Sequence, residues 1–300
     1  RRRRTRILSG VQHADPRRFR VRMRTPSRTA PKTGEQDRKT IGDEVACPGK
    51  MEGKVVFLTG GGGGIARGVA RAFASEGAAL VLSDVRPEGM ERTKAELERD
   101  FGTETLTMIV DGGDEERVKA AVAETLEKFG RLDVLINSAD GAISGVLLVD
   151  HSASDFKQAI DAGLLATFYF MKYAYPHLRD TAVSVINFAS GAGLSGNVGQ
   201  SAYAATKEGI RGLSRVAANE WAPEGINVNV VAPLAMTEHL ARWGEENPEM
   251  LEKNIKTIPM GRFGDAEKDV GRVCVFLASE DAKYITGDTI MIQGGLGMRP

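Results

Sequence analysis

The chain has 300 residues, 42% of them apolar, and its 40 basic and 40 acidic residues give a formal net charge of zero. It has no apolar run of the eighteen or so residues that a membrane span needs and no secretory signal, so we expect a cytoplasmic protein with no membrane partner. Its two cysteines, Cys47 and Cys274, form no CxxC or Cys/His cluster, and its four histidines have no metal-binding spacing. We therefore predict neither a disulfide framework nor a metal site.

The charge is unevenly distributed along the chain. Residues 1–50 contain 15 basic and 5 acidic residues, which leaves net charges of +10 on this segment and −10 on the remainder. The segment has few residues that a periodic face could bury, so we predict a disordered extension. Three interpretations remain open for it: a nucleic-acid-binding arm, an organelle transit segment, or no function, for instance upstream sequence translated from a misplaced start. The acidic body itself predicts no nucleic-acid partner.

From residue 54 onwards, short β-branched runs alternate with helical stretches. The predicted strands are 55–59, 79–84, 105–111, 132–137, 182–190, 226–233 and 288–295, and the predicted helices are 64–75, 88–100, 114–129, 153–179, 201–221 and 268–279. Such alternation predicts a single α/β domain over residues 51–300, with a doubly wound parallel sheet covered by helices on both faces. Ligands bind such sheets beyond the carboxyl ends of the strands.

A glycine-rich segment, TGGGGGIA at residues 59–66, joins the first predicted strand to the first helix. Glycines let the backbone approach a pyrophosphate, and the helix N-terminus that follows favours negative charge. Asp84 ends the second strand, where a carboxylate accepts hydrogen bonds from the adenosine ribose and repels a 2′-phosphate. We therefore expect NAD as the cofactor, with NADP less favoured, although Arg86 is the type of residue that holds such a phosphate.

These residues, with others further along, resemble the short-chain dehydrogenase/reductase family over nearly all of residues 51–297. TGGGGGIA resembles that family's TGxxxGxG, NSAD at 137–140 its NNAG, Ser190 with YAATK at 203–207 its serine and YxxxK, and INVNVVAP at 226–233 the strand before its PG. The resemblance implies a Rossmann-like domain with a sheet of about seven strands, a nicotinamide dinucleotide and a homotetramer or homodimer.

The resemblance also assigns roles residue by residue. Asp111 resembles the residue that meets the adenine, and Asn137 resembles a cofactor-lining residue, for which a strand-end cap is the alternative interpretation. The cofactor-binding set that it implies is Gly60, Gly62, Gly63, Gly64, Ile65, Asp84, Asp111, Gly112, Asn137, Ala139, Tyr203, Lys207, Pro233 and Thr237.

The catalytic set implied is Ser190, Tyr203 and Lys207. Tyr203 and Lys207 are four residues apart in a predicted helix, so they project from one face. A tyrosine with an ordinary pKa near 10 is a poor base at neutral pH, but an adjacent ammonium and an oxidised nicotinamide ring favour the phenolate. Tyr203 then exchanges the proton of the substrate hydroxyl, and Ser190 hydrogen-bonds the substrate oxygen. The alternative is an ordinary amphipathic pair of side chains.

Four positions depart from the family's pattern. Gly163 replaces an asparagine of the long helix that helps to hold a water in the proton path, and a glycine leaves its carbonyl free for that water. Ala66 and Leu234 replace glycines of the first motif and of PG. Asp140 replaces the glycine of NNAG, and its carboxylate either favours the oxidised, cationic nicotinamide or points to solvent.

A long connection, residues 234–263, predicts a lid over the substrate. The predicted substrate contacts are Ser190, Leu194, Tyr203, Leu234, Met236 and Trp243, and their apolar members favour an apolar secondary alcohol or ketone. The chain is thus predicted to be an NAD-dependent alcohol dehydrogenase or ketone reductase. A catalytically weak nucleotide-binding protein and a nucleic-acid-associated protein are the alternatives.

Overall fold

The computed structural model of the chain describes residues 48–141 and 144–297. The basic segment lies outside the described residues except for its last three positions, 48–50. Met51, at the predicted start of the domain, is buried, and its backbone N–H donates to the carbonyl of Glu76 at 3.0 Å. The residue at the predicted boundary is therefore part of the packed fold.

A seven-stranded parallel sheet forms the centre of the domain, in the order β3-β2-β1-β4-β5-β6-β7. This confirms the predicted fold class. The strands are β1 Val55–Thr59, β2 Ala79–Asp84, β3 Thr105–Ile109, β4 Val134–Asn137, β5 Ser184–Phe188, β6 Asn227–Pro233 and β7 Thr289–Ile292.

Ten α-helices occur within the described residues, and none of them is long and apolar enough to cross a bilayer. They are α1 Gly64–Ala74, α2 Pro87–Phe101, α3 Glu115–Phe129, α4 Ala153–Ala159, α5 Ala166–Thr181, α6 Gly191–Ser195, α7 Ser201–Trp221, α8 Glu238–Glu246, α9 Pro248–Thr257 and α10 Arg272–Ala278.

The core lies on both faces of the sheet, as β1 illustrates. Every residue of β1 is buried, and successive side chains point to opposite faces. Val56 and Leu58 belong to the apolar cluster that includes α1 and α10, whereas Val55 and Phe57 belong to the cluster that includes α3 and α5. A strand covered on both faces needs an unbroken apolar run, and the sequence VVFLT supplies one.

Two predicted helices contain π-helical segments. The predicted helix over 153–179 consists of α4, a π-helical segment Ile160–Leu165 and α5, and the backbone N–H of Ala166 donates to the carbonyl of Asp161, five residues back. The second segment, Ala266–Gly271, leads into α10. Such bulges widen a helix locally and occur frequently at functional sites.

Candidate active site

A cavity of about 1170 Å³ runs along the carboxyl ends of the strands. It is lined by thirteen of the fourteen predicted cofactor-binding residues, all except Asn137. Since loops after β1 to β6 contribute to its wall, it occupies the place that the parallel topology predicts for a ligand.

The glycine loop leaves open space at the N-terminus of α1. Gly60 and Gly64 have φ angles of 71° and 57°, a backbone region that glycine adopts without strain. No atom lies within 4 Å of where a Cβ on Gly63 or Gly64 would stand. The first turn of α1 carries no acidic residue and Gly63 provides no side-chain cap. A pyrophosphate therefore fits here, against backbone N–H groups and the positive end of the helix.

Asp84 is fixed beside this loop. Its Oδ2 accepts from the backbone N–H of Gly62 at 3.1 Å, and its Oδ1 accepts from that of Arg86, also at 3.1 Å. A Cβ on Gly62 would stand 2.8 Å from that Oδ2, so glycine is needed for the close approach. Arg86 and Arg92 line the same cavity, and the sequence analysis had not singled out Arg92.

Asp111 and Gly112 line the cavity after β3. The Oδ1 of Asp111 accepts from the backbone N–H of Gly113 at 2.9 Å, which orients the carboxylate. A Cβ on Gly112 would stand 2.6 Å from the Cβ of Ala166, so the glycine allows this loop to pack closely on α5.

Asn137 lies beneath the cavity rather than on its wall. The side chain is buried, and its amide donates to Oδ1 of Asn187 at 2.7 Å; the amide of Asn187 donates to Oγ of Ser214 at 2.8 Å. Asn137 thus links β4 to β5 and α7 through a buried polar chain. The wall itself is formed by the next residues, Ser138 and Ala139, whose backbone N–H groups both donate to Oγ1 of Thr59 at 3.0 Å.

Tyr203 and Lys207 both lie on the cavity wall, one turn apart on α7. Lys207 is only 3% exposed, and its Nζ lies 5.4 Å from the centroid of the Tyr203 ring. The ammonium donates to the carbonyl of Phe188 at 3.3 Å and lies 3.4 Å from Oδ2 of Asp140. This pairing of Asp140 with Lys207 differs from both roles expected for Asp140 from the sequence.

Ser190 follows β5 and caps α6, with its Oγ accepting from the backbone N–H of Ala192 at 3.1 Å. It is half-buried and its neighbour Ala189 lines the cavity, but Ser190 itself is not among the lining residues. Its contact with substrate stays a prediction.

The hydrogen bonding of Gly163 differs from the prediction in one respect. The carbonyl of Gly163 accepts from the hydroxyl of Thr167 at 2.8 Å, so one of its acceptor positions is used within the helix. The prediction of a free carbonyl is therefore corrected. The carbonyl oxygen of Gly163 already accepts a hydrogen bond from Thr167.

The predicted lid contains two helices, α8 and α9, that the sequence analysis did not predict. Thr237 caps α8, with its Oγ1 accepting from the backbone N–H of Leu240 at 3.1 Å. Leu234, Met236 and Trp243 are half-buried in this segment and do not line the cavity, whereas Glu238, His239 and Arg242 do.

Leu194 lies on a different cavity of about 520 Å³, together with residues of β7 and the segment after it. The four apolar substrate contacts, Leu194, Leu234, Met236 and Trp243, therefore stay predictions.

Comparison with known proteins gives concordant matches. A protein-family model described as enoyl-(acyl carrier protein) reductase matches residues 61–297. A 12alpha-hydroxysteroid dehydrogenase of a Clostridium species is 52% identical over 258 residues, covering 84% of this chain and 100% of that protein. A levodione reductase of Leifsonia aquatica is 36% identical over 250 residues, covering 81% and 93% of the two chains. The crystal structure of an NAD+-bound xylitol dehydrogenase has a TM-score of 0.77 at 28% identity, covering 82% of this chain and 100% of that one.

Proposed function

Since the chain belongs to the short-chain dehydrogenase/reductase family, we propose that Tyr203 is its general acid–base, assisted by Lys207 and Ser190. The protein is an oxidoreductase that transfers hydride between a nicotinamide dinucleotide and a secondary alcohol or ketone. One observation carries the catalytic assignment: Tyr203 and the buried ammonium of Lys207 share the wall of the cavity that begins at the glycine loop.

A dinucleotide held along this cavity would supply the hydride acceptor for alcohol oxidation and the hydride donor for ketone reduction. In oxidation, Tyr203 takes the hydroxyl proton as the carbon–oxygen double bond forms, and in reduction it gives that proton back. Lys207, whose Nζ lies 5.4 Å from the centroid of the Tyr203 ring, is the cation beside this proton-exchanging side chain. Ser190 Oγ–H donates to the substrate oxygen and stabilises its developing charge.

We infer a bulky alicyclic secondary alcohol, of the hydroxysteroid class, as the substrate. The 52% identity to the 12alpha-hydroxysteroid dehydrogenase extends over the whole of that protein and supports this class. The half-buried apolar residues Leu234, Met236 and Trp243 of the lid segment are consistent with an apolar ligand.

We infer NAD as the preferred dinucleotide. The oriented carboxylate of Asp84 supports this preference, because it would repel a 2′-phosphate where it would hold two ribose hydroxyls. Arg86 and Arg92, on the same cavity, are the groups that would instead accommodate that phosphate, so both dinucleotides belong in the test.

The test measures NADH and NADPH formation by the full chain with a 12alpha-hydroxysteroid, its 12beta epimer and a small acyclic secondary alcohol. We expect the highest kcat/KM with NAD and the 12alpha epimer. Turnover of only the acyclic alcohol would contradict the substrate class. Dinucleotide binding without turnover of any alcohol or ketone would favour the catalytically weak alternative.

A further inference from the structure

Lys207 has an anionic partner at the position where the family has a glycine. Its Nζ lies 3.4 Å from Oδ2 of Asp140, in an ion pair whose side chains are 3% and 31% exposed. A buried ammonium is costly unless it is paired and hydrogen-bonded. The Phe188 carbonyl supplies one acceptor at 3.3 Å, and Asp140 supplies the opposite charge.

Both members of the pair line the dinucleotide cavity, next to Tyr203 and Ala139. Asp140 therefore adds a negative charge to the same part of the cavity as Lys207. Its backbone follows the Ser138–Ala139 segment, which Thr59 Oγ1 fixes through two hydrogen bonds of 3.0 Å. The carboxylate thus extends from an anchored segment of the wall.

We propose that Asp140 is a positioning residue that pairs with Lys207 and shifts the site toward the oxidised dinucleotide. The inference rests on the proposed function. The oxidised nicotinamide ring is cationic and the reduced ring is neutral, so an unpaired ammonium nearby weakens binding of the oxidised form selectively. A carboxylate beside the ammonium cancels that repulsion. The pair therefore favours the direction in which an alcohol is oxidised.

The test is the ratio of the dissociation constants, Kd of the oxidised over Kd of the reduced dinucleotide, measured by calorimetry without substrate. It is measured for NAD+ with NADH and for NADP+ with NADPH. We expect the ratio to rise about fivefold, equivalent to ~1 kcal/mol, in Asp140→Asn and in Asp140→Gly, which restores the family's residue. Asp140→Glu keeps the charge and is expected to stay near the wild-type ratio.

The matched control is Asp161→Asn. Asp161 lines the same cavity, its side chain is 30% exposed, and its partner is Lys157 rather than Lys207. The control is expected to leave the ratio unchanged. An equal rise in Asp161→Asn, or an unchanged ratio in both neutral Asp140 variants, would overturn the inference. If the wild-type chain binds neither dinucleotide, the proposed function fails, and this inference fails with it.

Discussion

Gly163 lies directly against Thr206: a Cβ placed on Gly163 would stand 2.4 Å from Cγ2 of that threonine. Both residues are buried, Gly163 in the π-helical segment and Thr206 on α7 just before Lys207. Real Cβ contacts are essentially never this short. The asparagine that the family carries at this position therefore cannot enter unless Thr206 or the backbone moves.

Gly163→Ala is expected to lower the free energy of unfolding by about 1–3 kcal/mol, because the core has no room for the added methyl group. Thr206→Ser removes Cγ2, so the double variant should recover most of that loss; denaturant unfolding measures both. Gly212→Ala is the control, since a Cβ there meets nothing within 4 Å and alanine favours a helix. Equal losses at positions 163 and 212, or no recovery in the double variant, would show that the contact is not the cause.

Tyr203→Phe removes the hydroxyl that is proposed to exchange the substrate proton. We expect kcat to fall by about 10²–10⁴-fold while the Kd for NADH changes little. Steady-state rates and a direct binding titration measure the two effects separately. Tyr173→Phe is the control, because Tyr173 donates to Glu115 on α3 and does not line the cavity. Retained turnover in Tyr203→Phe would refute the proposed acid–base role.

Asp84→Asn removes the charge that is proposed to face the adenosine ribose, while it keeps the size of the side chain. The ratio of kcat/KM with NADP to that with NAD is expected to rise about tenfold, equivalent to ~1.4 kcal/mol. Glu88→Gln is the control, as another carboxylate on the same cavity. A wild-type chain that already prefers NADP would contradict the assignment and point to Arg86 or Arg92.

Glu238, the first residue of α8, pairs with Arg67 of α1 and lies 3.5 Å from Arg92 of α2. These contacts tie the lid to two helices beside the dinucleotide cavity. Glu238→Gln is expected to speed NADH release by up to about fivefold, since exposed pairs contribute roughly 0.2–1 kcal/mol. Stopped-flow fluorescence at low salt measures the rate.

The control for the lid is Glu252→Gln, which removes a pair with Lys256 within α9. An identical rate of NADH release in Glu238→Gln and in the wild type would contradict a role for Glu238 in holding the lid.

Asp133 supports the amino end of the sheet, away from the chemistry. Its fully buried carboxylate accepts from the backbone N–H of Val55 at 3.0 Å and from the guanidinium of Arg131 at 2.8 and 2.7 Å. Asp133→Ala is expected to destabilise the fold by about 1–3 kcal/mol, because it leaves the buried N–H of Val55 without its acceptor. Thermal unfolding measures the loss, and Asp180→Ala, at an exposed carboxylate, is the control. A similar melting temperature in both variants would contradict this account.

The sheet was predictable because its strands are apolar on both faces, as the run over β1 shows. The ends of the strands were less predictable. The predicted strand 182–190 is observed only as far as Phe188, because Ser190 is the N-cap of α6. The lid helices were missed because α8 and α9 bury few residues, and their polar sequence resembles a loop.

Within the site, spacing pointed to the glycine loop and Asp84, whereas the roles of the pair on α7 were implied by the family resemblance. The role of Asn137 was not predictable, since an amide at a strand end serves equally on a cavity wall or beneath it. The pairing of Asp140 with Lys207 joins residues 67 positions apart, and only the tertiary fold, in which α7 packs on β5 beside β4, brings them together.

The buried chain from Asn137 through Asn187 to Ser214 separates two requirements of an enzyme. It fixes the relative alignment of β4, β5 and α7, and none of its three residues lines the cavity. Substitutions in the predicted lid would therefore leave the alignment of the proposed proton-transfer groups unchanged. In this fold, the residues that hold the catalytic elements in place are therefore different from those of the predicted lid.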